Sequence, residues 1–324
     1  MSTIEKAVSK LSRDSGSKTD NTARVADDRK TNSALDEESV LASEHTDSAG
    51  APVNANDSIV RHNARQRKEQ PDYETTNNDA SNHTVHLDLA LLEKKNFVAL
   101  SSERRLINEE YRVIKRKLIN NAFGPLSKTL NHPNLILVSS SRPGEGKTFS
   151  AINLALSIAL EQDKTVLLVD ADVLRPNVSK TLNISHSLGL TDYLQSSNVT
   201  VRDILLSTNV ERLKIITAGS PHHLSTELLA SERMMQLVNE FATRYSDRIV
   251  IFDAPPLLGV NETAVMAAMC GQAVVVVEEN RTRLAEIEQS VSLLPKDMAI
   301  GFLINKAHRN QGKGYGYGYY YGAS

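Results

Sequence analysis

Apolar positions change their spacing twice along this chain. Over residues 1–84 they are sparse, scattered among Ser, Thr, Asn, Asp, Lys and Arg; the only aromatic residue there is Tyr73, and the first Phe of the chain is Phe97. Such a stretch cannot bury enough apolar surface to offset the entropy of ordering it. It reads as a disordered arm, which leaves about 240 residues for one sizeable α/β domain. From Val85 the run VHLDLALLEKKNFVAL is richer in apolar residues but mixed in period. The next segment, SSERRLINEEYRVIKRKLINNAF, predicts a helix with Ile107, Tyr111, Ile114 and Leu118 on one face. Arg104, Arg105, Arg112, Lys115, Arg116 and Lys117 crowd the rest of it, and Gly124-Pro125 ends it.

From Asn134 the texture alternates. NLILVSSS, TVLLVDAD, RLKIITAG, DRIVIFDAP, QAVVVVEE and MAIGFLINKA are short apolar runs that predict strands. Between them, residues 148–162, GLTDYLQ, VTVRDILLS, SERMMQLVNEFATRY, NETAVMAAMC and TRLAEIEQSVSLL predict helices. Near-continuous apolar strands alternating with helices indicate an α/β fold with a doubly wound, mainly parallel sheet. The last ten residues, YGYGYYYGAS, are low-complexity and hold five of the nine tyrosines. The expected organisation is a disordered arm (1–84), an N-terminal helical segment (85–127), one α/β domain (128–308) and a flexible tyrosine tail (309–324).

Composition narrows the picture. Lys+Arg is 37 against Asp+Glu 39, a formal net charge of −2, so the whole chain makes no electrostatic case for a nucleic-acid partner. One cysteine, Cys270, excludes an internal disulfide framework and suits a reducing compartment. No apolar run approaches the roughly 20 residues that cross a bilayer, and the first residues lack the apolar core of a secretory signal. The expectation is a cytoplasmic protein, peripheral at the inner membrane only through a partner. His222-His223 has no Cys or carboxylate spacing of a metal site.

The strongest local signal is Ser141-Arg142-Pro143-Gly144-Glu145-Gly146-Lys147-Thr148, between an apolar strand and a helix led by Phe149. Gly144 and Gly146 let the backbone curl so that successive N–H groups face a phosphate, and the helix N-terminus adds a favourable dipole. Lys147 suits the β/γ phosphates and Thr148 a Mg²⁺ ion. The strict GxxxxGK[ST] pattern has Gly where this chain has Ser141. Two further strands end in Asp170-Ala171-Asp172 and Asp253-Ala254-Pro255-Pro256. Ligands of parallel sheets bind beyond the carboxyl strand ends, and an Asp there can hold Mg²⁺ directly or through water. Together these residues predict a P-loop NTPase type of fold with a nucleoside triphosphate and Mg²⁺ as its ligands, which the resemblance below narrows to ATP.

The trio SRPGEGKT, VLLVDADVLRP and IVIFDAPP resembles the Walker A, second Walker A-type and Walker B motifs of bacterial tyrosine kinases, a branch of the Min/Par-type P-loop ATPases. The C-terminal tyrosine cluster is that branch's other mark, and EEYRVIKRKLINNAFG resembles the autokinases found beside exosortase and exopolysaccharide gene clusters. The resemblance covers about residues 100–324. It implies a tyrosine autokinase acting on Tyr315, Tyr317, Tyr319, Tyr320 and Tyr321, in trans within a homo-oligomer, and regulating exopolysaccharide synthesis, chain length or export. It further implies a membrane polysaccharide co-polymerase (chain-length determinant) and a tyrosine phosphatase as partners.

Residue by residue, the resemblance places Arg142, Pro143, Gly144, Glu145, Gly146, Lys147, Thr148 and Phe149 around the nucleotide phosphates, with Asn305 on the adenine. Thr148, Asp170 and Asp253 form the metal shell, and Asp170 or Asp172 orients or deprotonates the tyrosine hydroxyl. Glu109, Arg112 and Lys115 match the family's ExxRxxR oligomerisation pattern with Lys in the last place, and Lys lacks the planar fork of Arg. In the family's DxDxR motif the Arg position is Leu174 here, with Arg175 one residue later, and the family's NPxELL stretch reads LSTELL. Two other classes compete: a Min/Par-like ATPase switch, and a non-catalytic scaffold of the polysaccharide machinery.

Overall fold

The computed structural model describes residues 83–101, 105–185 and 188–307. The expected arm, save His83 and Thr84, and the expected tail from residue 309 lie outside the described residues. Among the described residues, eight strands form one sheet: β1 (Thr84–Val85), β2 (Leu135–Ser140), β3 (Thr165–Asp170), β4 (Leu206–Thr208), β5 (Leu213–Ile216), β6 (Arg248–Asp253), β7 (Gln272–Glu278) and β8 (Ala299–Asn305). Their spatial order is β1-β4-β5-β3-β6-β2-β7-β8. Every neighbouring pair is parallel except β4 with β5. The helices are α1 (Leu89–Lys94), α2 (Leu106–Phe123), α3 (Lys147–Ala159), α4 (Val178–Leu182), α5 (Leu190–Gln195), α6 (Val201–Ile204), α7 (Ser225–Leu229), α8 (Glu232–Thr243), α9 (Asn261–Ala267) and α10 (Leu284–Ser292). A short 3₁₀ turn, Pro125–Thr129, follows α2. Among the described residues, no helix is long and apolar enough to cross a membrane.

The central strands are apolar throughout because both faces of the sheet are covered. Ile136 and Val138 of β2 join Ile152 and Leu156 of α3 in one core, while Leu135 and Leu137 join Leu237 of α8 and Met266 of α9 in the other. All six residues of β2 and of β6 are buried. Two strands were not expected. In VTVRDILLS the helix stops at Ile204, and the chain then pairs antiparallel with β5. Three residues carry no period to read, and β1, with two, carries less.

The mixed-period run after Val85 is core rather than linker. Leu87, Leu92 and Phe97 are buried, and Asp88 caps α1 by accepting the Leu91 amide at 2.9 Å. Asn209 brackets Leu87, accepting its N–H at 2.8 Å and donating to its carbonyl at 3.1 Å. The Val98 amide donates to Asn153 Oδ1 on α3 at 2.6 Å. Leu87 is 0% exposed, so Leu87→Ala is expected to cost about 2–5 kcal/mol in urea unfolding. A loss well below 1 kcal/mol, roughly the scale of a surface change, would show that this segment does not belong to the folding core.

Candidate active site

The loop from Ser141 to Gly146 joins β2 to α3 and takes a shape that only glycine tolerates at two positions. Gly144 has φ of 87° and Gly146 of 100°, both left-handed. At Gly146 space is also lacking, because a Cβ would stand 2.0 Å from Asn305 Nδ2. Asn305 donates that Nδ2 to the Glu145 carbonyl at 2.8 Å. The Glu145 side chain is buried; one oxygen accepts the Arg142 amide at 2.8 Å and the other the Thr282 hydroxyl. Glu145 therefore holds the loop's shape from within. Lys306 Nζ donates to the Gly144 carbonyl at 2.8 Å and to Glu278 at 3.0 Å, and Arg142 pairs with Glu286 at 2.8 Å. Ser141, standing where the strict pattern has Gly, is buried and accepts the Ser290 hydroxyl at 2.9 Å. The end of β7, the start of α10 and the end of β8 thus brace the loop. None of Thr282, Glu286, Ser290 and Lys306 belongs to a sequence motif.

Three strand ends bring the charged residues together. Lys147 Nζ lies 2.7 Å from Asp172 Oδ2 and 3.6 Å from Asp253 Oδ1. The Thr148 hydroxyl donates to Asp253 Oδ2 at 2.6 Å. Asp170 stands opposite Asp253 in the β3–β6 register. Its Oδ2 accepts the amides of Asn177 and Val178 at 3.1 and 3.0 Å, while among the described residues neither its Oδ1 nor Asp253 Oδ1 has a hydrogen-bond partner. Burial pushes the carboxyls of Asp170 and Asp253 up from their ordinary value toward neutrality, and for Asp170 the Asp253 charge adds to it. For Lys147 burial acts to lower the pKa, but Asp253 and Asp172 outweigh it and hold the ammonium charged.

One lysine among three buried carboxylates leaves excess negative charge, with Asp170 Oδ1 unbonded and Asp253 Oδ1 facing only the Lys147 ammonium at 3.6 Å among the described residues. Hard oxygen donors with unmet charge suit a divalent cation such as Mg²⁺, so the residues present fit the metal that the sequence implies. A pH dependence follows. Carboxyls raised above their unfolded value bind more protons in the native state, so the bare fold loses stability as pH rises from the ordinary carboxylate range to neutrality. Cation binding needs the same groups ionised. The melting-temperature gain from Mg²⁺-ADP should therefore be larger at about pH 8 than at about pH 5.5. A gain that shrinks with rising pH would remove Asp170 and Asp253 from the cation site.

A cleft of about 740 Å³ opens over the loop. Lys147, Thr148 and Asp172 line it together with Phe97, Phe149 and Leu174. The Asp172 Oδ1 accepts the Arg175 amide at 3.0 Å, which turns the Leu174–Arg175 segment along the cleft. The Phe97 and Phe149 rings lie 4.8 Å apart. Phe97 went unassigned in the sequence because NFVAL shows no clean period; its place as the chain's first Phe was the available signal.

The expected oligomerisation trio divides. Glu109 and Arg112 are exposed and pair with each other at 2.8 Å. Lys115 is buried, donates to the Ser157 carbonyl at 2.7 Å and pairs with Glu161 at 2.7 Å. Each step of three residues turns about 60° around a helix of 3.6 residues per turn. The third member thereby leaves the exposed side and grips α3, which corrects its placement at a subunit contact. Tyr315, Tyr317, Tyr319, Tyr320 and Tyr321 lie outside the described residues.

Residues 134–293 match a family model described as an AAA domain. The chain is 28% identical over 214 residues to the tyrosine-protein kinase YwqD of Bacillus subtilis (strain 168), covering 65% of this chain and 86% of that one. It is 30% identical over 179 residues to the tyrosine-protein kinase CpsD of Streptococcus agalactiae, covering 54% and 76%. It is 34% identical over 161 residues to the putative tyrosine-protein kinase EpsB of Ralstonia solanacearum, where it covers 50% of this chain but spans only 21% of the relative's length. Among solved structures, the BceF tyrosine kinase domain superposes with a TM-score of 0.55 at 26% identity, covering 66% of this chain and 86% of that one.

Proposed function

This chain belongs to the bacterial tyrosine-protein kinases, and from that membership we propose that it moves the γ-phosphoryl group of ATP onto its own tail tyrosines Tyr315, Tyr317, Tyr319, Tyr320 and Tyr321. The observation that carries the reading is the convergence of Lys147, Thr148, Asp172 and Asp253 beyond the carboxyl ends of β2, β3 and β6, where Lys147 lies 2.7 Å from Asp172 and 3.6 Å from Asp253 and Thr148 lies 2.6 Å from Asp253. Phosphoryl transfer asks mainly for positioning and charge neutralisation, and this site is built for both. The amides from Gly144 to Thr148 cradle the phosphates, and Lys147 neutralises the β/γ oxygens. Thr148 and Asp253, with Asp170 beside them, would hold Mg²⁺, which supplies further positive charge to those oxygens. Asp172 is the one carboxylate of the three that lines the cleft, so it orients the acceptor hydroxyl and takes its proton. Asn305 keeps its Oδ1 to accept from the adenine amino group while its Nδ2 holds the loop.

The exposed Glu109–Arg112 pair supports a contact between copies of this chain. The family resemblance supports work at the cytoplasmic face of the inner membrane in exopolysaccharide synthesis, beside a polysaccharide co-polymerase and opposed by a tyrosine phosphatase. The deciding experiment incubates the purified full chain with ATP and Mg²⁺ and reads the C-terminal peptide by mass spectrometry. Several phosphates on that peptide are expected. ADP production with an unmodified tail would indicate an ATPase switch instead, and no turnover at all a scaffold.

A further inference from the structure

We propose that the apolar side of the cleft, formed by Phe97, Phe149 and Leu174, is the seat of the acceptor's phenol ring, and that these side chains select tyrosine over serine or threonine. The inference rests on the tyrosine-kinase reading above and adds to it the residues that choose the acceptor. Two observations carry it. The first is a rigid aromatic wall. Phe97 is 4% exposed and lies 4.8 Å from Phe149, with the rings tilted by 48°. A single buried side chain fixes both backbones: Asn153 accepts the Val98 amide at 2.6 Å and donates to the Phe149 carbonyl at 2.9 Å. The second is Leu174, a large apolar side chain 50% exposed on the cleft. It sits inside a turn closed from Arg175 onto Asp172, through both the carbonyl at 3.2 Å and the carboxylate at 3.0 Å. The same short turn therefore presents a carboxylate and an uncovered apolar surface to one space.

A phenol matches that division, since it carries an apolar ring with a polar tip and prefers offset or tilted contact with other rings. Its hydroxyl can reach Asp172 while the ring covers Leu174 and the partly exposed Phe149, which the buried Phe97 backs. A serine or threonine hydroxyl sits one bond from Cβ; when it reaches Asp172, nothing of its side chain covers the wall. In the transfer, the phenol oxygen forms its bond to the γ-phosphorus as the bond from that phosphorus to the bridging oxygen breaks. ADP leaves with the electron pair, and the phenol proton passes to Asp172 and then to water. From Ala307, the last described residue, to Tyr315 is eight residues, a reach of about 26–29 Å when extended.

The test uses the full chain with its five tail tyrosines changed to Ser, so that its own tail does not compete. The probes are synthetic peptides of residues 312–324 carrying Tyr, Phe or Ser at the five positions. Leu174→Asn should raise KM for the Tyr peptide about tenfold, with the loss on KM rather than kcat. It should weaken binding of the Phe peptide, read by fluorescence anisotropy without nucleotide, by the same factor, and leave Mg²⁺-ADP affinity unchanged. Leu174→Met should bind the Phe peptide like the parent, and the Ser peptide should bind the parent at least about tenfold more weakly than the Phe peptide. Equal binding of the Phe and Ser peptides would overturn the proposal. So would Phe-peptide binding that ignores Leu174→Asn, or an Asn variant whose only change is in ADP affinity. Failure of the kinase reading itself looks different: the parent would transfer no phosphate to the Tyr peptide.

Discussion

Changing Lys147 to Met is expected to abolish phosphate transfer and to loosen the bare fold at the same time. The side chain is 11% exposed and pairs with Asp172 and Asp253, themselves 4% and 0% exposed. Met keeps nearly the same volume, so the change removes charge and little else. Removing a preorganised charge-stabilising group slows transfer by about 10²–10³-fold or more. Breaking a buried pair by deleting one partner costs about 3–5 kcal/mol, because the other charge is left uncompensated. Here the abandoned groups are carboxylates, and burial already holds Asp253 and Asp170 above their ordinary pKa. They can escape by taking up protons, so the stability deficit should be greatest near pH 8 and shrink toward about pH 5.5. Urea unfolding at the two pH values and phosphate incorporation into the tail measure the two effects. A variant that labels itself at the parental rate would sink the assignment of Lys147 to the phosphates.

How legible this site was in the sequence depended on whether chemistry or packing set the residue spacing. The loop from Ser141 to Thr148 could be read directly, since backbone curvature and a lysine reaching phosphate fix glycines and cation within a few residues. Asp172 and Asp253 could be read because each follows a strand that is apolar on both faces. The brace was not legible. Thr282 meets Glu145 across 137 residues and Lys306 meets Gly144 across 162, and no local rule links such distant positions. Lys115 shows the converse failure. A pattern of every third residue looks like one helix side, yet the drift around a real helix carries its third member into the core against Glu161. The sheet followed the same logic, with six strands written in apolar runs and β1 and β4 too short to leave a trace.

Mixing two chains that cannot label themselves is expected to put phosphate on one of them. The acceptor is the Lys147→Met chain with its tyrosines intact. The donor is an active chain with Tyr315, Tyr317, Tyr319, Tyr320 and Tyr321 changed to Phe. From Ala307 to Tyr321 the tail can extend about 46–50 Å, long enough to reach a neighbour's cleft and also to fold back on its own. Length therefore does not decide between the two. What favours transfer between copies is effective concentration, since a contact through α2 would hold a neighbour's tail close to the cleft. The acceptor needs only its tail and α2, so a damaged site does not prevent it from serving. Adding Arg112→Glu to the acceptor should lower its labelling, because Arg112 is exposed and, among the described residues, pairs with Glu109 on its own helix. Lys115→Ala should instead lower stability, since it deserts Glu161 and the Ser157 carbonyl inside the subunit. Each phosphotyrosine brings about −1.5 to −2 charges to a site already rich in Asp170, Asp172 and Asp253. A multiply modified tail should therefore be expelled, and labelling should stop short of tight product binding. If the Lys147→Met chain stays unmodified while the parent labels normally under the same conditions, transfer runs within one chain and the α2 contact has no part in it.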